Sequence, residues 1–99
     1  MVKEINENEF KEVIKEGKVL VDCYATWCGP CQMLAPIIES LSEEITDYSF
    51  YKLDVDNAGS IAQEYGVMSI PTLLIFENGS LRETVVGLRS KTELENILK

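Results

Sequence analysis

The chain has 99 residues, 45% of them hydrophobic and 26% charged, with 17 acidic against 9 basic side chains and a formal charge of −8. That length predicts a single domain over residues 1–99, and the composition is that of a globular chain rather than a disordered or fibrous one. The acidic balance argues against a phosphate-neutralising surface for nucleic acid, and no apolar run approaches the ~20 residues that a membrane-spanning helix needs.

Residues 2–5 read as a short first strand. Asn6 and Glu9 have the spacing of a capping box, and Phe10, Val13 and Ile14 follow at helical intervals until Gly17 stops the helix. Lys18–Tyr24 contains Val19, Leu20, Val21 and Cys23, the pattern of a strand buried on both faces. Leu34, Ile38, Leu41 and Ile45 define a long amphipathic helix, which Pro36 is expected to kink rather than end. Tyr48–Val55 reads as a strand with Phe50 and Leu53 in the core. A short helix carrying Ile61, Ala62 and Tyr65 then starts at Asp56 or Asn57 and closes at Gly66. Thr72–Phe76 and Leu81–Val86 flank Asn78 and Gly79, a hairpin signal, and Ser90 with Glu93 caps a last helix that buries Leu94, Ile97 and Leu98. The order βαβαβαββα predicts an α/β fold: a mixed five-stranded sheet covered by four helices, on both faces.

The chemistry concentrates at Trp27, Cys28, Gly29, Pro30 and Cys31. With Pro30 in the first turn of a helix, where its fixed φ and missing N–H are tolerated, Cys28 falls at the helix N-terminus and Cys31 one turn inside. Residues three apart share a helix face, which brings the two sulfurs within disulfide range. Unpaired N–H groups and the positive end of the helix dipole favour a thiolate at Cys28. Gly29 leaves its approach open, and Cys31 is expected to be the more shielded of the two. The pair can then act by exchange: Cys28 attacks a disulfide, and Cys31 resolves the mixed disulfide. With three cysteines and no histidine, the chain makes a poor tetrahedral zinc set and lacks the base of a Cys-His hydrolase, so no metal is expected.

The run from Val21 to Cys31, with Ala35 and Pro36, resembles the thioredoxin family. Ile70, Pro71, Thr72 and Leu73 are similar to that family's cis-proline loop, Asn78 and Gly79 to its hairpin turn, and Val86 with Gly87 to its substrate-facing turn. The resemblance spans nearly the whole chain. It implies a thioredoxin fold and a protein-disulfide reductase with a redox-active Cys28–Cys31 disulfide, no other cofactor, and electrons drawn from a separate thioredoxin reductase for disulfide-bearing target proteins. It implies that Asp22 is a buried carboxyl close to Cys31, able to take the Cys31 proton, with Lys52 as its partner. Burial in an apolar strand would raise the Asp22 pKa; an aspartate turned to solvent, and an ordinary exposed Lys52, are the alternatives. It also implies a cis Pro71, where the residues alone favour trans, and an apolar substrate surface from Trp27, Ile70, Val86, Gly87 and Leu88. Trp27 would otherwise be a core residue.

Three positions depart from the family pattern. Cys23 and Tyr24 stand where phenylalanine and tryptophan are more usual, and Gln32 stands where lysine is common. Cys23 reads as a buried, inert thiol. An oxidase or isomerase on the same fold and a thiol docking module are the competing readings; Gly29 and Pro30 between the cysteines resemble the family's reducing members, which implies the reductase. The charged residues Lys3 and Glu4 occupy the place of a signal peptide's apolar region, so the expectation is a cytoplasmic monomer that binds neither membrane nor nucleic acid.

Overall fold

The computed structural model describes residues 1–99. At its centre lies the strand whose sequence is most apolar, β2 (Lys18–Tyr24), in which Val19, Leu20, Val21, Asp22 and Cys23 are all buried. Two other strands, β1 (Lys3–Glu4) and β3 (Tyr48–Asp54), lie on one side of it; β4 (Thr72–Glu77) and β5 (Ser80–Val86) lie on the other. The sheet order is β1-β3-β2-β4-β5, parallel across β1, β3 and β2 and antiparallel from β2 through β4 to β5. The helices α1 (Glu7–Val13), α2 (Gly29–Glu44) and α3 (Gly59–Glu64) join the first four strands, and α4 (Lys91–Ile97) follows β5, in the predicted order.

The period-2 alternation of β2 sorts the helices onto two faces. Leu20 points into a core with Leu34, Ile38 and Leu41 of α2 and Leu94 of α4, while Val19, Val21 and Cys23 point into a second core with Phe10 of α1 and Ile61 of α3. In that second core Phe10, Tyr65 and Phe76 pack edge to face, with centroids 5.5 to 5.7 Å apart. Both predicted capping boxes form: Asn6 with Glu9, and Ser90 with Glu93. Helix α2 runs through Pro36 for 16 residues without a break.

Asn78 and Gly79 both take positive φ, 50° and 88°, as a tight hairpin turn requires. Asn78 also exchanges two hydrogen bonds with Gly17, donating its amide and accepting the Gly17 amide on Oδ1, each at 2.9 Å. The hairpin turn is thereby tied to the loop that enters β2.

Two expectations need correction. The short helix starts at Gly59, after Ala58, and not at Asp56 or Asn57. The Asp54 carboxylate intercepts those two residues, accepting from the Asp56 amide at 3.0 Å and from the Asn57 side chain at 3.4 Å, and this local turn competes with helix initiation. In the last helix Leu94 and Leu98 are buried, but Ile97 is only half-buried.

Phe10 is fully buried at the meeting point of α1, α3 and β4. Phe10→Ala is expected to cost about 3–5 kcal/mol, by lost burial and the cavity left behind, read as a lower urea midpoint with an unchanged denaturant slope.

Candidate active site

The strand β2 ends at Tyr24, and a short loop later the chain has become α2. Cys28 is the N-cap of that helix: its backbone is extended, and its sulfur accepts the Cys31 amide at 3.2 Å. Pro30 lies in the first turn, as its missing N–H requires. Cys28 and Cys31 are joined by a disulfide, their Cα atoms 5.2 Å apart. Both cysteines are covered almost equally, at 5% and 4% exposure. The expected contrast between an open Cys28 and a shielded Cys31 is thus absent from the closed disulfide, where Ala25, Tyr24, Val55 and Ile70 pack around both.

The Ile70–Pro71 bond is cis, and the Ile70 carbonyl oxygen lies 3.9 Å from the Cys28 sulfur. Ile70 precedes β4, and its own amide and carbonyl make no backbone hydrogen bond. Beside it, the Gly87 amide donates to the Pro71 carbonyl at 2.8 Å, which holds Val86 and Gly87 against the proline loop. Gly87 has φ of 91°, a conformation that favours glycine. Trp27 is 70% exposed, Val86 48% and Leu88 42%, so the disulfide sits within an apolar patch and Trp27 is not a core residue.

Asp22 is buried, and its Oδ1 has no hydrogen-bond partner. Its side chain and Cys31 line the same cavity, of about 140 Å³, together with Tyr24, Gln32 and Lys52. Lys52 is the register partner of Asp22 on β3. Burial pushes the Asp22 carboxyl up from 3.8 to about 7, against a smaller opposing pull from Lys52. Cys23 is a core residue whose thiol is pushed up to about 12, by burial first and by Asp22 second, which keeps it protonated and inert. Gln32 donates to the Thr26 carbonyl at 3.1 Å, so the residue that stands where lysine is common braces the loop before the cysteines.

The thioredoxin family model matches residues 1–99. The chain belongs to the thioredoxin family. A thioredoxin from Listeria monocytogenes is 46% identical over 99 residues, covering 99% of this chain and 96% of the relative. Thioredoxin-1 of Saccharomyces cerevisiae is 53% identical over 81 residues, covering 81% and 79%. Among solved structures, Plasmodium falciparum thioredoxin superposes with a TM-score of 0.91 at 33% identity, covering 98% of this chain and 96% of that one. A thioredoxin variant from Halobacterium salinarum gives 0.89 at 40% identity, with 97% and 86% covered. As a thioredoxin-family protein, the chain is a protein-disulfide reductase whose redox pair is Cys28 and Cys31.

Two contacts at this thioredoxin-type site were not foreseen from the sequence. The Trp27 indole donates to Asp56 at 2.8 Å, pinning the exposed ring over the loop after β3. The Tyr24 hydroxyl donates to Glu4 at 2.8 Å across the sheet. Nothing in local spacing marks Asp56 or Glu4, because both partners are distant in sequence.

The Asp22 carboxyl generates a pH dependence of stability. Below pH 3.8 both folded and unfolded chains hold its proton; from there to about 7 the unfolded chain releases a proton that the folded chain keeps. The stability conferred by neutral Asp22 is therefore fully present below 3.8 and is lost as pH rises through about 7. At 1.36 kcal/mol per pH unit this amounts to ~4 kcal/mol. Asp22→Asn is expected to abolish most of that decline, so that denaturant titrations show the variant more stable than the native protein at pH 8 and near parity at pH 4.

Proposed function

We propose that Cys28 is the attacking thiolate and Cys31 the resolving thiol. In the first step the Cys28 sulfur bonds to one sulfur of a substrate disulfide, and the other leaves as a thiolate. In the second, Cys31 gives up its proton and attacks the Cys28 sulfur. The intramolecular disulfide closes, and the second substrate thiolate departs. Two electrons pass to the substrate, which ends as two thiols after protonation. The observation that carries this assignment is the N-cap position of Cys28, whose sulfur faces the Cys31 amide. That amide and the helix N-terminus favour negative charge at Cys28 over Cys31.

Asp22 is the acceptor of the Cys31 proton. Its burial and its pKa near 7 suit it to take a proton at neutral pH, across the cavity that it shares with Cys31. Lys52 moderates its charge. Substrate binds as an extended segment whose backbone pairs with the free amide and carbonyl of Ile70, over the apolar patch of Trp27, Val86, Gly87 and Leu88. Pro71 shapes that loop, Gly29 keeps the approach to Cys28 uncrowded, and Pro30 fixes the turn. The disulfide itself is the electron-carrying group, with no further cofactor. A separate thioredoxin reductase replenishes the dithiol, and the protein works as an electron carrier in the cytoplasm. No helix is long and apolar enough to cross a membrane.

Cys31→Ser is expected to accumulate a covalent complex with protein disulfides through Cys28, visible on non-reducing gels and released by dithiothreitol, whereas Cys28→Ser traps nothing. The native pair should equilibrate at a potential more reducing than the glutathione pool, followed by Trp27 fluorescence. An oxidising potential would move the assignment to disulfide formation or isomerisation.

A further inference from the structure

Lys52 stands between two carboxylates. On β3 it is the register partner of Glu4 on β1 and of Asp22 on β2, so the three side chains project from one face of the sheet with about 5 Å between neighbouring strands. It forms an ion pair with neither. Its ammonium instead lies 5.9 Å from the centroid of the Tyr24 ring, a cation–π distance. Tyr24, two residues beyond Asp22, emerges on that same face. The Tyr24 hydroxyl donates to the Glu4 carboxylate at 2.8 Å.

We propose that Tyr24 is a positioning residue that, by engaging Glu4, keeps the Lys52 ammonium beside Asp22, and so sets the pH at which Asp22 exchanges its proton. Tyr24 does this in two ways. Its ring offers the ammonium a seat next to Asp22, and its hydroxyl occupies the Glu4 carboxylate that would otherwise draw Lys52 towards β1. The phenol remains a donor at working pH, since burial first and the Glu4 bond second push its pKa upward. The inference rests on the reading of Asp22 as the Cys31 proton acceptor only for its consequence in the reaction, and not for the geometry.

The other groups that face Asp22 leave this role to Tyr24. Asp54 lies opposite Tyr24 on β3, and its carboxylate accepts from Asp56 and Asn57. Glu39 of α2 shares a cavity of about 40 Å³ with Asp22 and Lys52, and its carboxylate lies 3.9 Å from the N-terminal amine. Cys31 of α2 is the reacting thiol, and Leu73, the partner of Asp22 on β4, is apolar. Cys23 lies on the opposite face.

The test is a double-variant cycle read at the Asp22 carboxyl carbon by NMR titration of the reduced protein. Tyr24→Phe keeps the ring and frees Glu4, and it is expected to raise the Asp22 midpoint by roughly half a pH unit, about threefold in the proton equilibrium. Glu4→Gln should lower the midpoint further in the Tyr24→Phe background than in the native one, because only there does Glu4 compete for Lys52. Glu4 is exposed and the phenyl ring is retained, so both variants keep the packing of β2. An unmoved midpoint in Tyr24→Phe, or equal shifts from Glu4→Gln in the two backgrounds, would overturn the proposal, since a distant charge alone acts additively. A parallel stopped-flow profile of mixed-disulfide resolution separates the two layers. If the NMR midpoint moves and the rate profile does not, the positioning role of Tyr24 stands and the assignment of Asp22 as the proton acceptor fails.

Discussion

The constraint on which the rest depends is that one residue, Cys28, must end a strand-to-helix turn and present a sulfur at the same point. An N-cap normally uses a side-chain oxygen to accept an amide from the first turn. Here the acceptor is the Cys28 sulfur, and the amide belongs to its disulfide partner, Cys31. The stabilisation that caps the helix is therefore the same interaction that favours charge on the sulfur. Forming the helix and lodging an amide on the sulfur are one event. The buried strand β2 and the long helix α2 hold that junction from either side, since each belongs to a packed core.

Against this well-satisfied junction stands an unsatisfied neighbour. Asp22 interrupts an otherwise apolar strand, is buried, and leaves one oxygen without a partner. A residue chosen for stability alone would be another valine or leucine at that position. Native structures hold few such groups, and local rules of this kind are broken mostly at functional or strained sites. In the function proposed above, that burden has a purpose. Proton exchange near neutrality requires a carboxyl that is reluctant to ionise, and reluctance comes from burial.

Much of this was legible in the chain. The bounds of β2 were readable to the residue because Val19, Leu20, Val21 and Cys23 need two buried faces, and both capping boxes followed from Asn6–Glu9 and Ser90–Glu93. The cysteine pair, its place at a helix start and the Asn78–Gly79 turn were equally plain. The start of α3 was not, because Asp54, a strand residue, captured the amide of Asp56 and the side chain of Asn57. Trp27–Asp56 and Tyr24–Glu4 were out of reach for a related reason. These contacts join residues 29 and 20 positions apart, and no local periodicity encodes them. The cis form of Pro71 came only through family resemblance, since the residues by themselves favour trans.

The two edges of the sheet carry a consequence for behaviour at high concentration. β1 is two residues long, and β5 exposes Arg82 and Glu83 along a strand whose pairing with β4 shifts register between Ile75 and Phe76. Short, charged and irregular edges are poor templates for a neighbouring copy to extend. Self-association by edge-to-edge growth is thus discouraged at both sides of the molecule. The unpaired backbone at Ile70, proposed above as the substrate's pairing site, lies inside the patch near Cys28 and is set apart from both edges.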